Sequence, residues 1–281
     1  MLIKQKFHNG DKKTYKNNAA NNTLRQKRCN NTCIHFFMSW TIGGAIVSFI
    51  LSVIAIVANF VDMGTFGDFM INYSYIFHFV TALGMVTLFM FVDFNTISPG
   101  ANDNLTGTYA AVCALRMLDM AGVDFENTEV CAMITDGEEA GLRGCKSWAK
   151  NHYDEYVNSG VETVVLCVDT LTDREYLRVY NKDMTGTVKN NQQFSQLVMD
   201  ASKDAGHDDI ELSSVFFGSS DAAAFSQAGI TATCLAAMDP RPADYYHNRR
   251  DTADRLVPET IKTGFDVIIS TILNFDEKGL N

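Results

Sequence analysis

Acid is scarce at the front of this chain. Residues 1–35 carry Lys4, Lys6, Lys12, Lys13, Lys16, Arg25, Lys27 and Arg28 against the single acid Asp11. That is a local charge of +7, and subtracting it from the whole-chain −10 leaves −17 for everything that follows. An acidic body of this kind excludes nucleic acid as a general partner for the body. Charge of either sign is absent from Phe36 to Ala58, and Phe69 to Val92 is a second apolar run interrupted by Asn72, His78 and hydroxyls. Each run has the length needed for a hydrocarbon core of about 30 Å. The linker VDMGTFGD carries acids and no base. A cleaved signal peptide is excluded, because the first run starts too late and is too long. The seven cysteines give no disulfide framework. They fall mostly inside segments that read as helices or strands, which suits a reducing compartment, and the C-x3-C of Cys29 and Cys33 has no partner pair to complete a metal site.

These absences predict three parts: a basic flexible segment over residues 1–35, a transmembrane hairpin over 36–92 (spans 36–58 and 69–92), and a catalytic-sized domain over 93–281. Two spans leave both flanks on one side, and the Lys/Arg cluster assigns that side to the cytoplasm. Membrane lipid is then a partner through the hairpin.

The body alternates two periods. LTGTYAAVCALRMLDMAG reads as a helix closed by Gly122, and VCAMIT as a buried strand. GLRGCKSWAKNHYDEYV is helical, and VETVVLCVD and REYLRVY are strands. NNQQFSQLVMDASKDAG puts Phe194, Leu197, Val198 and Ala201 on one helical stripe. SSDAAAFSQAG is a short helix with a serine cap, ITATCLAAM a strand, and PETIKTGFDVIISTILNF a closing helix with Pro258 in its first turn. Strands alternating with helices predict an α/β domain with a mostly parallel sheet. Ligands of such sheets collect at the carboxyl ends of the strands, where Glu138, Glu139 and Asp169 fall.

Five residues stand out as carriers of chemistry. Asp103, in GANDN, sits between a tight turn and a helix, where an ordinary N-terminal carboxylate also belongs. Glu138 and Glu139 are adjacent carboxylates before a Gly-rich turn, and they repel one another unless a cation, a proton or solvent relieves them. Asp169 ends an apolar strand, in a place that also suits a helix cap. His247 lies in YYHNRRDT, where a surface histidine is the plain alternative. Taken together, these side chains match what metal-assisted hydrolysis needs: hard and borderline ligands, with one carboxylate spare to handle protons.

SPGANDNLTG, DGEEAGLRGC, CVDT, SSDAAAFSQAGI and YYHNRRDT occur in that order. The set resembles the co-catalytic di-zinc exopeptidases of the bacterial leucyl-aminopeptidase and glutamate-carboxypeptidase type, over most of residues 96–281. The resemblance implies a three-layer αβα zinc-exopeptidase domain with two zinc ions and a peptide substrate. It implies Asp103 as the bridging ligand, Glu138 as general base, Glu139 and His247 as ligands of the first zinc and Asp169 of the second. Ser220, Asp221 and Tyr246 would sit at the substrate pocket.

One departure accompanies the resemblance. The family carries a further metal histidine in an H-x-D motif upstream of the GANDN turn. Here the corresponding stretch is MFVDFNTISPGANDN, with Phe91 in the region, and none of His8, His35 or His78 precedes an aspartate by two positions. His152 and His207 read as helix-surface and loop residues. One zinc site is therefore complete in the sequence and the second is not. The opening strands of the sheet are also missing from the pattern, which predicts an amino-terminal truncation or a hairpin inserted within the domain. The sequence thus favours a membrane-anchored zinc-dependent exopeptidase, aminopeptidase-like, that hydrolyses terminal residues of short peptides. Its rivals are a non-catalytic binding module or inactive truncated fragment on the peptidase fold, and a single-zinc, glutaminyl-cyclase-like acyl transferase.

Overall fold

The structure is a computed structural model that describes residues 1–5, 31–61, 63–90, 97–216, 218–239 and 243–280, without the side chains of 2–5, 31–42, 45, 59 and 83–90. The described residues fall into two compact units: one holds a pair of long helices together with Asp244–Arg250, and the other is an α/β unit.

The helix pair is α1 (Asn31–Phe60) and α2 (Thr65–Met90). On α1, Ser48, Ser52 and Ala55 recur at near-helical spacing and let α2 approach. A side-chain carbon at Gly44 would lie 3.1 Å from Thr81 Cγ2, and Ala55, Ala58 and Thr81 are buried. Ser48 Oγ and Thr81 Oγ1 lie 3.4 Å apart, and Ser52 Oγ is 3.1 Å from His78 Nε2. Small residues and crossed hydroxyls are how two apolar helices pack without a large interdigitated core. The expected hairpin is met as two helices. Among the described residues no helix is long and apolar enough to cross a membrane. The middle of α2 carries Asn72, Tyr73, Ser74, Tyr75 and His78, and the side chains of 36–42 and 83–92 in the expected spans lie outside the described residues.

The α/β unit is built on a seven-stranded sheet. Its strands are β1 (Leu2–Gln5), β2 (Thr128–Cys131), β3 (Thr163–Asp169), β4 (Leu177–Asp183), β5 (Val188–Lys189), β6 (Leu212–Ser214) and β7 (Thr231–Ala237). The order is β2-β1-β3-β7-β4-β5, with β6 paired to β4. The helices are α3 (Gly107–Met120), α4 (Arg143–Tyr156), α5 (Gln192–Asp204), α6 (Asp221–Gln227) and α7 (Pro258–Lys278).

The layers follow from the pleat. Along β3, Val164 and Leu166 face one side and Val165 and Cys167 the other. Val164 and Leu166 join Ala114 and Leu118 of α3, Phe194 and Val198 of α5, and Ile268, Ile272 and Phe275 of α7. Val165 and Cys167 join Cys145 and Ala149 of α4 and Ala222 to Phe225 of α6. Helices cover both faces, three on one and two on the other. Each fully buried large side chain contributes on the order of 1.5–3 kcal/mol of apolar transfer.

Several local readings hold. Phe194, Val198 and Ala201 of α5 are buried, with Leu197 packed beside them. Ser220 caps α6 by accepting the N–H of Ala222 at 3.2 Å. Pro258 opens α7, and Gly122 follows α3 with φ 65°.

The sheet itself is a correction. Parallel ladders join β3 to β7 and β4 to β6, whereas β1–β2, β1–β3, β4–β5 and β4–β7 are antiparallel. Strand–helix alternation implies crossovers and hence a mostly parallel sheet, and β4 breaks that rule. It follows β3 through a short turn at Arg174–Tyr176 and returns beside β7. β1 is the other difference. A four-residue strand is too short to register as a hydrophobic period, so the basic leading segment reads as structureless. The rest of that segment to residue 30 lies outside the described residues.

Candidate metal centre

Asp103 lies in the turn Ala101–Thr106, between Gly100, whose φ of 66° opens the turn, and α3. Asp103 and Asn104 leave helical geometry, with φ of −109° and −135°, and the peptide between them is cis. Three neighbouring side chains fix this shape. Asn104 donates through Nδ2 to Val168 O at 2.9 Å and accepts from Gly107 N and Thr170 N through Oδ1. Asn102 Oδ1 accepts from Thr172 N at 3.1 Å. Asp251, almost fully buried, takes Asn102 N–H on Oδ1 at 2.8 Å and Asp103 N–H on Oδ2 at 2.9 Å. The turn is thereby bound to the end of β3 on one side and to Asp251 on the other.

Glu138 and Glu139 follow β2 through an irregular stretch rather than directly at a strand end. Their turn is closed by Leu142 N donating to Glu138 O at 2.8 Å and Gly144 N donating to Asp136 O at 3.0 Å. A side-chain carbon at Gly144 would lie 2.3 Å from Asp136 O, so glycine is required for α4 to start there. Asp169 is the last residue of β3, and Thr170 after it has φ 42°, an unusual value for a β-branched residue. His247 has φ 55° and stacks on Tyr246, with ring centroids 3.7 Å apart at 22°.

Asp103, Glu139 and His247 each offer a ligand atom, and these atoms all lie within 4.8 Å of one another. Asp169 belongs to the same field. Burial pushes its carboxyl well above the usual carboxylate range, and Asp103, Glu138, Asp221 and Glu139 add repulsion in that order. Its Oδ1 is buried with no hydrogen-bond partner. Crowded carboxylates and one imidazole form a donor set suited to zinc, and a cation offsets both the repulsion and the orphaned oxygen. The residues fit the metal.

The pocket residues stand differently. Ser220 is buried, and its Oγ donates to Asp183 Oδ2 at 2.5 Å, so its hydroxyl fastens α6 to β4. Asp221 accepts from Thr135 Oγ1 at 3.0 Å, and burial raises its pKa against the Cys145 and Thr135 hydrogen bonds. Of the upstream histidines, His78 bonds Ser52 in the helix pair, while His8, the side chain of His35 and Phe91 lie outside the described residues. His152 stacks on Trp148, and His207 meets Asp266 at 3.4 Å. The sequence reading missed Asp251, Asn102 and Asn104. The two asparagines flanking Asp103 were the available signal, since each side chain both donates and accepts.

Comparison with known proteins follows the same residues. The sequence profile of Peptidase family M28 matches residues 86–272. Among curated proteins none matches. Of solved structures, the Legionella pneumophila aminopeptidase LapA is similar with a TM-score of 0.55 at 17% identity, over 65% of this chain and 48% of LapA. Legionella pneumophila LapB gives a TM-score of 0.54 at 16% identity, over 66% of this chain and 49% of LapB. The aminopeptidase from Aneurinibacillus sp. strain AM-1 gives 0.52 at 21% identity, over 62% and 39%. The chain therefore spans about half the length of the Legionella proteins or less, and at these identities the likeness is one of fold.

Proposed function

The chain belongs to peptidase family M28, a family of zinc hydrolases, and on that premise we propose that it removes terminal residues from short peptides as an aminopeptidase-like enzyme. The observation that carries the reading is the convergence of ligand atoms from Asp103, Glu139 and His247 within 4.8 Å. These three would hold one zinc, and Asp103 with Asp169 would supply part of a second site. The chemistry such an ion supplies when bound is Lewis acidity toward a carbonyl and toward water.

The chain's own residues do the rest. Glu138, spare beside Glu139, takes a proton from the attacking water and gives it to the leaving amine as the C–N bond breaks. The clamped turn keeps Asp103 in one orientation. The crowded carboxylates Asp103, Glu138, Glu139 and Asp169 give the site a negative field that attracts the free ammonium of a peptide's first residue.

Attachment of the helix pair to a membrane is part of the same reading. It is supported by the uncharged run from Phe36 to Ala58 and by the exposed side chains of Phe49, Ile56, Phe60 and Phe79. A cytoplasmic catalytic domain is supported by the Lys/Arg cluster ahead of that run. A C-terminal reporter active only after export should stay silent, and an active one overturns the orientation.

The test of the enzyme is zinc per chain on detergent-purified protein, with His247→Ala beside it, followed by peptide cleavage. Bound zinc that His247→Ala loses, together with release of free amino acid, supports the proposal. No zinc makes the non-catalytic module the better account, a reading that the absent H-x-D histidine favours. Zinc with cyclisation of an N-terminal glutamine, and without cleavage, would select the acyl transferase instead.

A further inference from the structure

Asp251 lies four residues after His247 and is buried to 1% exposure. Both of its carboxylate oxygens are turned toward one turn. Oδ1 accepts Asn102 N–H at 2.8 Å, Oδ2 accepts Asp103 N–H at 2.9 Å, and its own carbonyl accepts Ala101 N–H at 3.2 Å. Three successive backbone donors of the turn that presents Asp103 are therefore satisfied by one residue. A buried carboxylate is costly, and accepting paired N–H groups is what makes its charged form tolerable there.

The segment leading to Asp251 is braced as well. Asn248, buried, donates through Nδ2 to Asp244 O at 2.9 Å and to Tyr246 O at 3.2 Å, and its Oδ1 accepts Arg250 N at 2.9 Å. His247 is thus carried on a short segment that is stiffened internally and ends at Asp251.

We infer that Asp251 is a positioning residue for the metal centre, fixing Asp103 through its backbone and sharing a braced segment with His247. The inference rests on the zinc reading given above. Groups that orient metal ligands typically change affinity by about 10–100-fold when altered. Asparagine is the informative replacement, because its NH2 faces one of the N–H donors and only one of the two bonds survives.

The experiment measures zinc affinity of the full chain by competition with a chromogenic chelator, for wild type, Asp251→Asn and Asp183→Asn. Asp183 is the control. It too is fully buried and accepts Met184 N, Ser219 Oγ, Ser220 N and Ser220 Oγ, but none of these leads to Asp103. Near-UV circular dichroism and melting of the zinc-free proteins are recorded alongside.

The expected result is a zinc affinity at least tenfold weaker in Asp251→Asn, with Asp183→Asn near wild type in affinity though lower in melting temperature. Equal losses in both variants, or wild-type affinity in folded Asp251→Asn, overturn the inference and leave the zinc reading standing. If Asp251→Asn is unfolded without metal, zinc is added stepwise. Refolding that needs at least tenfold more zinc than wild-type stabilisation does supports positioning, and no refolding at any concentration overturns it. Wild type without zinc affinity sinks the reading and the inference together.

Discussion

A side-chain carbon placed on Gly107 would sit 2.1 Å from the carbonyl oxygen of Val168. The first turn of α3 therefore rests directly against the end of β3, one residue before Asp169. The same carbonyl accepts Asn104 Nδ2 at 2.9 Å, so the approach is part of how the Asp103 turn is seated.

Gly107→Ala is expected to destabilise the α/β unit by roughly 3 kcal/mol, since backbone must move to admit a methyl group. It should also weaken zinc binding, because Asn104 loses its seat. Urea unfolding and chelator competition on one preparation check both. A variant as stable as wild type would mean that the helix and strand lie further apart than described.

Glu138→Gln is expected to keep its zinc and lose about 10²–10⁴-fold in kcat, because glutamine cannot accept a proton at neutral pH. Steady-state cleavage of a dipeptide beside a zinc determination separates base from ligand. Full activity with metal bound would take the role of base away from Glu138.

Asp169 gives a pH prediction for the metal-free protein. Its pKa is raised in the folded state by burial and by neighbouring carboxylates. The stability it contributes is present below the ordinary carboxylate pKa and is lost as pH rises through the raised value. Metal-free wild type should therefore weaken toward neutral pH over that interval, and Asp169→Asn should flatten the slope. Zinc affinity should run the other way and strengthen with pH, because the ligands bind deprotonated. Denaturant midpoints at stepped pH decide, and an identical slope in the variant would remove Asp169 as its source.

Ile268→Ala tests the larger core. The side chain is fully buried between α7 and the sheet, and truncation should cost about 2–5 kcal/mol. Zinc stoichiometry of the folded fraction should not change, which mass analysis of the native protein would show.

What the sequence reveals and what it hides divide on locality. The stripe of α5, the serine cap of α6 and Pro258 in α7 are readable because each depends on neighbours a few residues away. The reversal of β4 and the placement of β1 depend on which edges are open in the assembled sheet, and no period in the chain records that. The site divides in the same way. GANDN, GEEAG and YYHNRRD are visible as strings, whereas Asp251 looks like one more acid beside two arginines. Its burial and its two backbone donors arise only once the final loop meets the turn at Asp103.

The position of β1 has a consequence for how the protein is made. Leu166 N donates to Met1 O at 2.8 Å, and the partner atoms of such bonds stand 165 positions apart in the chain. At about 5–20 residues per second of synthesis, β1 exists for on the order of ten seconds or more before β3 does. Throughout that interval the edge of β1 that meets β3 has no partner, and the other edge gains one only when β2 emerges. Pairing at such long range makes folding slow. Amide protection at Leu2–Gln5 should accordingly appear only after the strands β2 and β3 have formed.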